Sequence, residues 1–85
     1  MDIYLERVDP ERNYFRFYAI LTTPDLFAEN SLMVHWGRIG QAGQFRVRGS
    51  GSREECEVIG RKILKRRLSR DYMVIRDGGP PPGDA

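Results

Sequence analysis

The sequence of 85 residues contains one cysteine, one histidine and one tryptophan. A lone Cys56 excludes an internal disulfide and any cysteine-based metal cluster. No apolar run approaches the roughly 20 residues that a membrane helix requires. The opening Met1-Asp2-Ile3-Tyr4-Leu5-Glu6 has no basic-then-apolar order of the kind that marks a signal peptide. Together these absences predict a reducing, cytoplasmic setting and no membrane partner. Catalytic groupings are missing too. His35 has no Ser, Cys or acid at a recognisable motif spacing. Gly37, Gly40 and Gly43 fall between two expected strands, with no Lys-Ser or Lys-Thr after them, so they do not make a phosphate loop. No constellation meets the geometric demands of an active site. The expectation is a non-enzymatic protein without metal or cofactor.

What is there suits a small globular domain. Apolar residues make up 40% of the chain and charged residues 31%, with a net charge of +2 and a pI of about 9.0. The charge is a mild bias toward anionic partners. Its distribution says more, because basic residues concentrate between Arg61 and Arg70.

The pattern along the chain predicts four strands, one long helix and a short closing segment. Ile3 to Val8 alternates loosely, and Asp9-Pro10-Glu11-Arg12-Asn13 supplies turn residues. From Tyr14 to Leu21 a period of two puts Phe15, Phe17, Ala19 and Leu21 on one face and Tyr14, Arg16, Tyr18 and Ile20 on the other. Thr22 to Asn30 reads as a connection in which Leu26 and Phe27 fold back onto the core. Leu32 to Gly40 reads as a third strand, with Leu32, Val34, Trp36 and Arg38 on one side and Met33, His35 and Ile39 on the other. Gln41-Ala42-Gly43 would turn the hairpin, and Phe45 and Val47 would alternate with Gln44, Arg46 and Arg48 in a fourth strand.

Ser52 and Glu55 form a capping box for the helix. Its apolar stripe is Cys56, Ile59, Ile63 and Leu64, with Gly60 among them for close packing. Glutamates near the start and Lys62, Lys65, Arg66, Arg67 and Arg70 near the end complement the helix dipole. Asp71 to Ile75 closes the core as a strand or extended segment. The domain is expected over residues 1–76 and a flexible Gly/Pro tail over 77–85. Strands followed by a helix predict an α+β layer, an antiparallel sheet of four to five strands covered by one long helix.

The stretch His35 to Arg48, HWGRIGQAGQFRVR, interleaves arginines with apolar residues around the only indole. Trp36 and Arg38 should project from one strand face about 6–7 Å apart. An indole can stack on a sugar or base, and a guanidinium can fork onto a phosphate. Gly37 leaves the backbone between them open. Arg46 and Arg48 extend the positive surface. The same pattern also fits a Trp36 that is simply the largest core residue, with Arg38 reaching solvent.

The string Trp36-Gly37-Arg38-Ile39-Gly40 resembles the signature of the WGR domain family. Arg16-Phe17-Tyr18, Gly43-Gln44, Ser52 with its acidic helix start, and Arg67 to Tyr72 fit the same family in the same order. The Pro24-Asp25-Leu26-Phe27 connection looks most like stand-alone bacterial members. The resemblance implies an antiparallel sheet with one packed helix. It implies DNA binding near strand breaks, the role of this domain in poly(ADP-ribose) polymerases. On this chain it assigns stacking to Trp36, a phosphate or linking role to Arg38, backbone contact to Arg46, and a weaker candidacy to Arg16. Arg67 stands where the family commonly has Lys. Gly37 completes the triplet. The chain shows no catalytic, regulatory or zinc-finger sequence, so a relay role has no receiver in cis. The expected activity is therefore binding of DNA backbone, ends or nicks. The alternative is a protein-interaction module without nucleic-acid affinity, with a partner in trans.

Overall fold

The computed structural model describes residues 1–78; of the tail expected over 77–85, the part from Gly79 on lies outside the described residues. Strand β1 spans Asp2–Asp9, β2 Tyr14–Pro24, β3 Asn30–Arg38 and β4 Gln44–Gly51. Helix α1 spans Arg53–Leu68, and β5 Met73–Asp77. The five strands make one antiparallel sheet in the order β4-β3-β2-β1-β5. With α1 packed on it, the chain is the expected α+β layer.

The register follows from the alternation. Ile3, Leu5, Tyr18, Ile20, Leu32 and Val34 point to the helix side and form the buried core with Cys56, Ile63 and Tyr72. Met1, Trp36, Ile59 and Leu64 pack against that core from its margin. Cys56, Gly60 and Ile63 are the buried helix positions, at the spacing of one helical face. A methyl group on Gly60 would collide with Met1 Sδ and press on Leu32 Cδ1, so the absence of a side chain there sets how closely α1 approaches the sheet. Both halves of the capping box form: Ser52 Oγ accepts from Glu55 N–H, and Ser52 N–H donates to Glu55, each at 3.1 Å.

Several details depart from the sequence reading: β2 runs on to Pro24, β3 spans Asn30–Arg38 rather than Leu32 to Gly40, and β5 takes in Asp77, where the expected tail begins. Leu26 and Phe27 do not return to the core; they are 96% and 97% exposed. The segment is held instead by Asp25, whose carboxylate accepts from Phe27 N–H and from the hydroxyl of buried Ser31. A carboxylate satisfying a turn locally removes the need for an apolar anchor. These bonds hold the Asp25 carboxyl below its ordinary range, the Phe27 amide most. Strand β4 also runs on to Gly51 with a bulge in it. Leu32 pairs with Gly49 and Met33 with Val47, which leaves Arg48 as the extra residue.

Candidate nucleic-acid interface

On the helix side, the sheet extends past the C-terminal end of α1, and this uncovered margin carries Trp36. Its ring stacks at 6.4 Å on Tyr18, and Tyr18 meets Tyr72 edge-to-face at 6.2 Å. Trp36 is therefore half-buried: it leans on the core and also faces an open cavity. That cavity, about 170 Å³, is lined by Tyr18, Val34, Trp36, Arg46, Arg48 and Arg67. Arg46 reaches it because its cross-strand partner is Val34, a helix-side position. Arg48 reaches it because of the bulge. Arg67 comes from the last turn of α1, with its guanidinium 4.5 Å from the centroid of Tyr18 and 6.0 Å from that of Tyr72. Its Nε is buried without an acceptor. Burial raises the Tyr72 phenol above its ordinary pKa, the neighbouring Tyr14 adds to the rise, and Arg67 and Arg16 oppose it.

A second group of cations lies beside the first. The register pairs Arg7 with Arg16 and Arg16 with Arg38, so three arginines stand abreast on β1, β2 and β3. Like charges directly opposite each other destabilise a sheet. Arg7 and Arg16 turn onto the ring of Tyr14, at 4.6 and 5.5 Å. Arg38 turns outward to the β1–β2 connection. It donates to the Asn13 backbone oxygen at 3.1 Å and to Asn13 Oδ1 at 3.0 Å, over the ring of Phe15 at 5.3 Å. The ion pairs among the described residues are Arg12–Asp9, Arg61–Glu57 and Arg76–Asp2. None of them involves the six arginines around Trp36. Among the described residues, no acid is ion-paired with the arginines beside the accessible indole. The positive charge of the chain is mostly arginine charge: Lys62 and Lys65 are the only lysines among 14 basic residues.

The structure thus brings Trp36, Arg46 and Arg67 into one cavity, places Arg16 in the adjoining row, and turns Arg38 toward Asn13. Gly37 has a different surrounding. It pairs with Phe17 on the opposite sheet face, where a Cβ would come within 2.8 Å of Gly43 Cα. A Cβ on Gly43, at φ +75°, would collide with the Trp36 carbonyl oxygen and the Phe17 ring. The two glycines are the contact between β3 and its own hairpin turn. His35 Nε2, 2.6 Å from the Ala42 oxygen, fastens the same turn. Sequence reading did not single out Arg7 or Tyr18 for this surface; only the hairpin register puts Arg7 in line with Arg16 and Arg38.

Among the described residues no group of three or more His, Cys, Asp or Glu is placed to hold a metal. Among the same residues no helix is long and apolar enough to cross a membrane. What the site offers is a half-open aromatic surface flanked by guanidinium groups.

The chain belongs to the WGR domain family, whose model matches residues 1–79. It is also similar to an uncharacterised protein, y4dW, of Sinorhizobium fredii, with 39% identity over 70 residues. That match takes in 82% of this chain but 34% of the relative, so the chain spans about a third of the relative's length. The WGR domain is non-catalytic and is known in nucleic-acid-binding contexts.

Proposed function

We propose that the protein binds nucleic acid through its sugar–phosphate backbone, at the helix-side surface around Trp36, with DNA ends and nicks as the preferred targets. The observation that carries the reading is the cavity in which the accessible side of Trp36 meets Arg46, Arg48 and Arg67, beside a row of three more arginines with no ion-paired acid among the described residues. Trp36 stacks on a sugar or base, and the guanidiniums fork onto phosphates. Arg38 serves first to tie the β1–β2 connection and only second to attract the polyanion. Nothing in this arrangement addresses base edges, so recognition is independent of sequence. Preference for ends is supported by the family resemblance; the affinity for backbone is supported by the charge itself.

The test is a titration of Trp36 fluorescence with intact, nicked and single-stranded oligonucleotides at two salt concentrations. Binding that weakens as salt rises, and that is strongest for nicked or 5′-phosphorylated duplex, supports the whole reading. Equal binding to every duplex supports the backbone part and removes the end preference. A flat titration at low salt removes both.

A further inference from the structure

The sheet face opposite α1 carries no element of the described chain, and its composition is unlike that of the helix side. Tyr4, Phe17, His35 and Phe45 form a continuous aromatic row across β1 to β4, with ring separations of 6.1, 4.8 and 3.9 Å. Val8, Leu21, Met33, Val47 and Met73 share the face by register. Phe45 is 61% exposed, Val47 58% and Met73 69%. Monomeric proteins seldom expose contiguous apolar patches beyond a few hundred Å². The charges on the face lie at the β1 side: Glu6, hydrogen-bonded by the Tyr4 hydroxyl at 2.8 Å, and Asp2, which pairs with Arg76 at 3.7 Å. Of the arginines around Trp36, Arg38 reaches this side at its margin, where its guanidinium lies 5.3 Å from the ring centroid of Phe15.

We infer that this face is covered by a second copy of the chain, stacked sheet on sheet about a two-fold axis parallel to the strands. Area and charge carry the inference. Five strands about 4.8 Å apart, each about seven residues long at about 3.3 Å per residue, cover roughly 550 Å². Two such faces bury roughly 1,100 Å², above the roughly 1,000 Å² expected of a specific interface. An isologous pair also needs a self-complementary patch. An axis across the strands would set β1 on β1 of the partner and gather Asp2 and Glu6 of both copies on that strand pair, a like-charge contact that costs association. An axis along the strands sets the central β2 on itself, β3 over β1, and β4 over β5. By register His35 then meets Tyr4 of the other copy, and exposed Phe45 meets the Arg76 beside that tyrosine.

The dimer itself does not depend on the nucleic-acid reading. Its consequence does: the two Trp36 surfaces would face outward in opposite directions, so one dimer would hold two nucleic-acid segments at once.

Sedimentation equilibrium without nucleic acid tests the dimer. The expected result is a mass twice the 9.8 kDa of one chain, falling to one chain in Phe45→Glu and in Val47→Glu, with far-UV dichroism unchanged in at least one of the two. Thiol cross-linking tests the axis. Phe45 and Arg76 of one copy lie on opposite edges, four strand spacings or roughly 19 Å apart, too far for a short bridge within one chain. Phe45→Cys combined with Arg76→Cys should form a covalent dimer with a bismaleimide that spans the roughly 10 Å between packed sheets, while neither single variant does. A single-chain mass for the unaltered protein up to about 1 mM would overturn the inference and leave the face to another partner. So would a dimer that survives both Glu variants while they stay folded. Cross-linking of Phe45→Cys alone would overturn the axis, since it sets β4 on β4. Loss of the dimer with an intact Trp36 titration rejects only this inference; an intact dimer with a flat titration rejects only the proposed function.

Discussion

The guanidinium of Arg67 lies 4.5 Å from the ring centroid of Tyr18, so the last turn of α1 and the centre of β2 meet through a cation on an aromatic face. The same guanidinium lines the cavity beside Trp36. A helix residue thereby becomes part of a surface otherwise built on strands. Stacking of this kind contributes about 0.5–2 kcal/mol and fixes the plane of the fork.

Replacing Arg67 by Lys keeps the charge and loses that plane. Arg67→Lys should weaken nucleic-acid binding about 3–10-fold, which corresponds to roughly 1 kcal/mol for a lost stack. Arg67→Ala should weaken binding more and lower the urea midpoint as well. Equal affinity for Arg67→Lys and the unaltered protein would show that only charge matters there.

Arg38 and Asn13 make a second link, through two bonds that bridge 25 residues of sequence. A double-mutant cycle on Arg38→Ala and Asn13→Gly should give a coupling of about 0.5–1.5 kcal/mol in stability, the usual net value of such bonds. Asn13 sits at φ +53°, and Gly tolerates that conformation. Binding should fall less in Arg38→Ala than in Arg46→Ala. The reverse order would make Arg38 a principal ligand contact.

The glycines of the triplet and the turn have distinct costs. Gly37→Ala brings a methyl to 2.8 Å from Gly43 Cα, and the backbone there cannot yield cheaply. Overpacking of this kind costs about 1–3 kcal/mol. Gly40, at φ +91° with nothing within 4 Å of its missing side chain, should cost only the roughly 1–2 kcal/mol of a left-handed conformation when changed to Ala. Chemical denaturation of the two variants checks the order.

Tyr4 gives a signature at high pH. Burial, reinforced by the Glu6 carboxylate, pushes its phenol up to about 12. The folded state therefore holds this proton more tightly than the unfolded chain, whose tyrosines titrate near about 10. The resulting stability is complete below about pH 10 and is lost as pH rises through about 12. Tyr4→Phe should flatten the stability profile over that range. An unchanged alkaline profile would show that Tyr4 titrates alike in both states.

Much of this molecule could be read from local pattern. The alternation from Tyr14 to Leu21 fixed which residues of β2 face the helix, and Ser52 with Glu55 fixed where α1 begins. The parity of β3 put Trp36 on the same side as Val34. Three features could not be read that way, because each depends on long-range register. The bulge at Arg48 arises from how β4 meets β3. The row of Arg7, Arg16 and Arg38 exists only once β1, β2 and β3 are aligned. The turn of Arg38 toward Asn13 reflects an acceptor 25 residues away, which no spacing rule reports. Leu26 and Phe27 failed for the opposite reason: hydrophobicity predicted burial, but Asp25 satisfies the turn by itself.

The most direct measurement is the salt dependence of nucleic-acid affinity, followed by Trp36 fluorescence, for the unaltered protein and for Arg46→Ala. Each phosphate contact contributes about 0.9 to the slope of log affinity against log salt on duplex DNA. With Arg46, Arg48 and Arg67 engaged, the slope should be about −3, and removing Arg46 should make it shallower by about 1. A slope near zero, or one that Arg46→Ala leaves unchanged, would contradict the assignment of the Trp36 cavity to a phosphate backbone.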